Sequence, residues 1–159
     1  MTEQKIYHDF IAWLGKTWWG LPDSEQLMPL IKARYSVEEA AFLTGMPFSG
    51  NDLAELAELK GQDPAELQPY LDGLAKKGVL FRRQSGDSIR YSLNDSYFVF
   101  FRSAFWPGAD DESSRNMAPH VNKYYMDGFY DQYAWKYRSF GDMTGENLLI
   151  ESDVFIGND

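Results

Sequence analysis

Residues 36 to 94 constrain the fold more tightly than any other stretch, because three short helices are punctuated there in succession before an alternating pair of strands. The first, "SVEEAAFLTGM", opens on Ser36 with Glu39 three residues on, the spacing at which each side chain caps the other's backbone N–H. Val37, Ala40, Ala41 and Leu43 recur on one helical face, and Gly45 ends the run. The second, "SGNDLAELAELKG", carries Leu53, Leu56, Ala57 and Leu59 and stops at Gly61. The third, "DPAELQPYLDGLAKKG", begins with Asp63 as cap and Pro64 at the first helical position, with Glu66 placed for a second capping box. Leu67, Leu71 and Leu74 form its apolar stripe, and Gly78 stops it. "VLFRRQ" and "SIRYSL" then alternate around "SGD", where Gly86 supplies the turn of a hairpin.

Three short helices followed by a hairpin is the winged helix-turn-helix arrangement. The chain is therefore expected to be mainly α with a small β-hairpin. Residues 1–35 form an N-terminal helical extension, 36–94 the winged helix-turn-helix, and 95–159 an aromatic-rich C-terminal helical extension and tail, in one compact domain. Leu53, Leu56, Leu67, Leu71, Leu74 and Tyr91 are expected to bury together.

Such a scaffold commonly meets DNA, and affinity for a polyanion comes chiefly from Lys and Arg on phosphates. This chain has a formal net charge of −9. Within residues 36 to 93, nine acids stand against six bases (Lys60, Lys76, Lys77, Arg82, Arg83 and Arg90), a net of −3. Base edges are read from the start of the third helix. Here that start is "DPAELQPY", with no Arg, Lys or Asn; only Gln68 is suited to a base, and Pro69 is expected to kink or shorten the helix. The wing carries Arg82, Arg83 and Arg90, a contact surface for phosphates or, equally, a solvent face paired with neighbouring acids. DNA is the weaker expectation.

The flanks are aromatic. Ile6, Phe10, Trp13 and Leu14 mark an amphipathic first helix, and Gly20 and Pro22 break it beside the anchors Trp18 and Trp19. Pro29 kinks a second apolar segment or marks its start. Near the C-terminus, Val121, Tyr125, Phe129 and Tyr133 fall on one helical stripe, which reads as core folded back near Trp13 or as the surface of a homodimer. "ENLLIESDVFIGND" reads as a strand or an extended tail.

No nucleophile–base pattern, phosphate-cradling glycine loop or metal box is present, so an enzyme is not expected. The chain has no cysteine, which excludes thiolate ligands for zinc or an iron–sulfur cluster within it. His8 and His120 share no ligand spacing, and Asp110, Asp111 and Glu112 read as a solvated loop. No run approaches the roughly 18 apolar residues that span a bilayer, and "MTEQKIYHDF" lacks a secretory pattern, so a cytoplasmic protein without membrane contact is expected.

The strings "KTWWGLP", "LMPLIKARYSVEEAAFLTGMPFSG", "LAKKGVLFRR", "YSLNDSYFVFFRSAFWPG" and "NKYYMDGFYDQY" resemble the N-terminal region of 4Fe-4S ferredoxin-type proteins of anaerobic bacteria, over roughly residues 5 to 135. The resemblance implies a winged-helix-like segment ahead of cysteine clusters that hold the iron–sulfur centres. No cluster ligand carries over, because this chain has no cysteine. It implies a non-catalytic interaction module, with 4Fe-4S clusters only in a longer parent protein. The wing would then dock a protein partner or the parent's own iron–sulfur domain. The alternative is a winged-helix transcription regulator.

Overall fold

Local capping decides where most of the helices begin and end. A computed structural model of the chain describes residues 2–17, 21–93, 105, 110–131 and 134–135. Helix α1 (Glu3–Leu14) is capped by Thr2, and α2 (Leu27–Arg34) has Pro29 in its first turn, where no N–H is needed. Helix α3 (Val37–Leu43) carries the expected capping box, with Ser36 and Glu39 each accepting from the other's backbone. A second box does form, but at Asp52 and Glu55 on α4 (Leu53–Lys60). Asp63 instead caps α5 (Pro64–Lys77) through the Ala65 N–H at 2.8 Å. Asp52 precedes an acid at the right spacing just as Asp63 does, and the pairing that forms is the earlier one.

Pro69 neither kinks α5 to a stop nor shortens it; the helix runs through to Lys77. Pro69 lies on the exposed face, where water replaces the missing intrahelical bond. Gly78 then ends α5 at φ +80, a left-handed turn open to glycine at no steric cost.

Strands β2 (Leu80–Ser85) and β3 (Ser88–Leu93) form the hairpin about Gly86, which has φ +61. A third strand, β1 (Asn51–Asp52), pairs antiparallel with β3, giving the order β1-β3-β2. The structure is thus mainly helical with a small three-stranded antiparallel sheet. Helix α6 (Glu112–Tyr124) runs on into a π-helical turn (Tyr125–Phe129). Among the described residues no helix is long and apolar enough to cross a membrane.

One cluster of buried side chains joins all these parts. Leu56, Leu67, Leu71, Leu74 and Tyr91 are buried in it as expected, whereas Leu53 is only partly buried and Leu59 points to solvent. Phe10 and Tyr35 meet edge to face, and the Tyr7 hydroxyl donates to the Tyr35 carbonyl at 2.8 Å. Trp13 stacks on Phe48 and donates to the Met46 carbonyl at 2.9 Å, so it serves the 36–94 unit rather than the C-terminal stripe. Helix α6 packs chiefly on α2. The Tyr124 hydroxyl donates to the Pro22 carbonyl at 2.8 Å. A Cβ at Gly128 would lie only 2.5 Å from Ser24 Oγ, so the π-helical turn sits hard against that loop.

Leu71 faces this interior with no exposure. Leu71→Ala is expected to cost about 2–5 kcal/mol, because close-packed surroundings do not collapse into the space it leaves. Chemical denaturation of the two proteins, compared at equal slope, measures it; unchanged stability would remove α5 from the core.

Candidate functional site

The wing arginines separate by strand register. Arg82 lies opposite Tyr91, and Arg83 opposite Arg90. Facing residues share a side of the sheet and neighbours alternate, so Arg82 is on the core side while Arg83 and Arg90 share the outer side. Arg82 Nε donates to Asp72 Oδ1 at 2.8 Å, and the Tyr91 hydroxyl donates to the same oxygen at 2.8 Å. Asp72, on α5, thereby ties the helix to both strands. Arg90 Nη1 donates to the Gly50 carbonyl at 3.0 Å, while its Nε is shut from solvent with no acceptor. Arg83 is exposed and forms no hydrogen bond or ion pair among the described residues.

Two other cations of the 36–93 segment, Lys77 and Lys60, hold helix ends. Lys77 Nζ pairs with Glu39 Oε2 at 2.6 Å, and that same oxygen accepts the Ser36 N–H at 2.8 Å. Lys60 Nζ donates to the carbonyls of Phe42 and Thr44 at the end of α3, and burial lowers its pKa. A cation there offsets the partial negative charge of unpaired carbonyls. Beneath the end of α5, Arg34 Nη2 donates to the Lys77 carbonyl at 2.6 Å with only 4% of the residue exposed. The exposed face of α5 presents Glu66, Gln68, Pro69 and Tyr70, with Tyr70 edge to face on Phe42. Lys76 is exposed and without a partner among the described residues.

The aromatic stripe is a different matter from its expected role as a dimer surface. Phe129 is buried, Tyr125 is half-buried and lies at 27° over it with ring centroids 6.1 Å apart, and Val121 is buried. Val121 and Phe129 therefore belong to the same buried cluster that Trp13 packs against, and the helix that carries Val121 packs chiefly on α2. Tyr133, Trp18, Trp19 and the "ENLLIESDVFIGND" segment lie outside the described residues.

An open groove of about 500 Å³ lies where α2 ends and α3 and α6 begin, lined by residues that include Tyr7, Lys32, Arg34, Glu38, Lys77 and Glu112. Charges of both signs meet there, and Lys32 and Lys77 are engaged by Glu3 and Glu39. Among the described residues no group of three or more His, Asp or Glu is gathered for a metal.

Three participants escaped sequence reading. Asp72 stood as one more acid, and Gly50, Asn51 and Asp52 as the opening of the second helical segment. A two-residue strand is too short to show alternation. Its signal is the β3 partner, 38 or more residues later in sequence.

No family model matches the chain, and neither a curated protein nor a solved structure does.

Burial favours the neutral form of several phenols. Burial pushes Tyr35 far above the ordinary value near 10, and burial followed by the bond to Asp72 raises Tyr91. Burial also raises Tyr7, with help from Glu3. In the unfolded chain these groups ionise near pH 10, so above that pH the unfolded state sheds protons that the folded state retains. Their contribution is complete below about pH 10 and is lost as pH rises through the folded values. The melting temperature is expected to hold up to about pH 9.5 and fall beyond about pH 10, with the last part of the phenolate absorbance appearing together with unfolding. Tyr91→Phe should make that alkaline fall shallower. Full phenolate absorbance in a still-folded protein would contradict it.

Proposed function

We propose that the chain is a non-catalytic winged-helix interaction module, the N-terminal domain of a cytoplasmic 4Fe-4S ferredoxin-type electron-transfer protein. It docks a protein partner or the parent's own iron–sulfur domain. The element order from 37 to 93 is helix, short strand, helix, helix, strand, strand, with β1 paired to β3. That order supports the winged-helix reading. Iron–sulfur centres belong to the longer parent, because no thiolate is available here.

The observation that carries docking over DNA reading is the engagement of the cations. Of the six bases between 36 and 93, Lys60, Lys77, Arg82 and Arg90 are held by carboxylates or carbonyls of the chain itself. Lys76 and Arg83 remain, beside nine acids. Two phosphate contacts give weak, salt-sensitive and sequence-blind binding. The start of α5, which would approach base edges, offers Glu66 and Pro69 beside Gln68.

The transcription-regulator reading draws on one feature, the outer pair Arg83 and Arg90, which lies where a wing would approach a phosphate backbone. Fluorescence anisotropy with mixed-sequence duplexes at low and physiological salt separates the two. The module is expected to show at most weak binding at low salt and none at physiological salt. Sub-micromolar affinity that survives physiological salt and is lost in an Arg83→Ala/Lys76→Ala variant would make the chain a DNA reader.

A further inference from the structure

The outer face of the sheet brings two guanidiniums together. Arg83 and Arg90 are direct cross-strand partners. Like charges placed so are unfavourable unless something neutralises them. Neither forms an ion pair among the described residues. Asp52, opposite Arg90 on β1, has its carboxylate engaged by the Glu55 N–H at 3.0 Å. Gly50 lies between the two arginines. A Cβ there would stand 3.4 Å from Arg90 Cβ and 3.9 Å from Arg83 Nη2, so the missing side chain lets the two heads converge over bare backbone. Arg90 is anchored at one end only: Nη1 reaches the Gly50 carbonyl, and the Nε–H has no acceptor. A two-residue step along the same face of β2 brings in Phe81, 45% exposed.

We propose that this face is an acidic-peptide site, in which a carboxylate of a protein partner is clamped between Arg83 and Arg90 while an adjacent apolar side chain rests on Phe81. Planar guanidiniums match a carboxylate in paired, charge-assisted bonds. A DNA duplex fits less well, because its run of phosphates meets only this pair of arginines and its internally stacked bases offer no face to Phe81. A partner with an isolated glutamate or aspartate beside a leucine-like residue satisfies all three side chains. This deepens, and rests on, the reading of the chain as a protein-docking module.

The test uses the full chain and ¹⁵N NMR. The probe is a short blocked peptide alternating glutamate and leucine, with the same peptide carrying glutamine in place of glutamate as its control. The glutamate peptide is expected to shift, saturably, the side-chain Nε–H signals of Arg83 and Arg90 and the backbone amides of Phe81 and Ser92. Arg83→Glu removes an exposed side chain without partners, and an otherwise unchanged amide spectrum verifies its fold. It should weaken the glutamate peptide about tenfold or more, the loss of a charge-assisted pair. Equal binding of the glutamine peptide, shifts that map elsewhere, or no effect of Arg83→Glu would overturn the site. With no duplex binding, those results would leave the docking module standing. A DNA duplex that binds more tightly than the glutamate peptide and loses its affinity in Arg83→Glu would overturn both.

Discussion

The guanidinium of Arg34, closed off beneath the last turn of α5, is the interaction from which the rest of the arrangement follows. A buried charge is tolerable only when it is hydrogen-bonded and met by opposite charge. Arg34 has the Lys77 carbonyl at 2.6 Å, at the negative end of a 14-residue helix. Lys77 turns its own ammonium to Glu39, whose carboxylate is already held by the Ser36 N–H. The end of α2, the cap of α3 and the end of α5 are thereby fixed at one point. The N-terminus of α6 faces the same place: the Ser114 N–H holds the Asp111 carboxyl below the usual carboxylate range, and the charges of Arg34 and Lys77 add to it.

From that junction the chain has one course. Gly78 reverses out of α5, Val79 and Leu80 bury, and β2 begins with its core-facing side already set. Because side chains alternate along a strand, burying Leu80 sends Arg82 inward to Asp72 and Arg83 outward. The hairpin then places Arg90 opposite Arg83. The charge pattern of the hairpin is thus a consequence of how α5 is held. Cations on a fold of this shape can hold helix ends or meet a polyanion. Here Lys60 and Lys77 do the former and Arg82 is paired with Asp72 on α5, while Arg83 and Arg90 share the outer side of the sheet and Lys76 stands exposed on α5.

Features set by near neighbours were legible in the sequence. The Ser36–Glu39 box, the Leu67, Leu71 and Leu74 stripe, the stop at Gly78 and the turn at Gly86 all depend on residues within four positions of one another. What escaped was set by distant partners. β1 exists only because Asn51 and Asp52 meet Tyr91 and Arg90. Asp72 is a site residue only because Arg82 and Tyr91 reach it. Periodicity put Val121, Tyr125 and Phe129 on one stripe, yet it had no means of naming α2 as the helix on which α6 packs, or of foreseeing the π-helical turn that carries Tyr125 and Phe129. Leu59 fitted a helical face by spacing, but no neighbour covers it and it is 56% exposed. The candidate site was half visible: its three arginines could be named, while their division between two sides of the sheet waited on the register.

If internal partners rather than the scaffold's shape set the wing's response to polyanions, releasing one cation should change it in a measurable way. Asp72→Asn keeps the side chain's size and its hydrogen bond from Tyr91 while freeing Arg82 of its counter-charge. Duplex binding of this variant and the parent chain, followed across salt concentration, is the most direct measurement. Affinity at low salt should rise in Asp72→Asn, and the slope of log affinity against log salt should steepen by about 0.9, one additional phosphate contact. Identical affinities and slopes for the two proteins, with both folded, would contradict the claim that intramolecular neutralisation decides what this wing can meet.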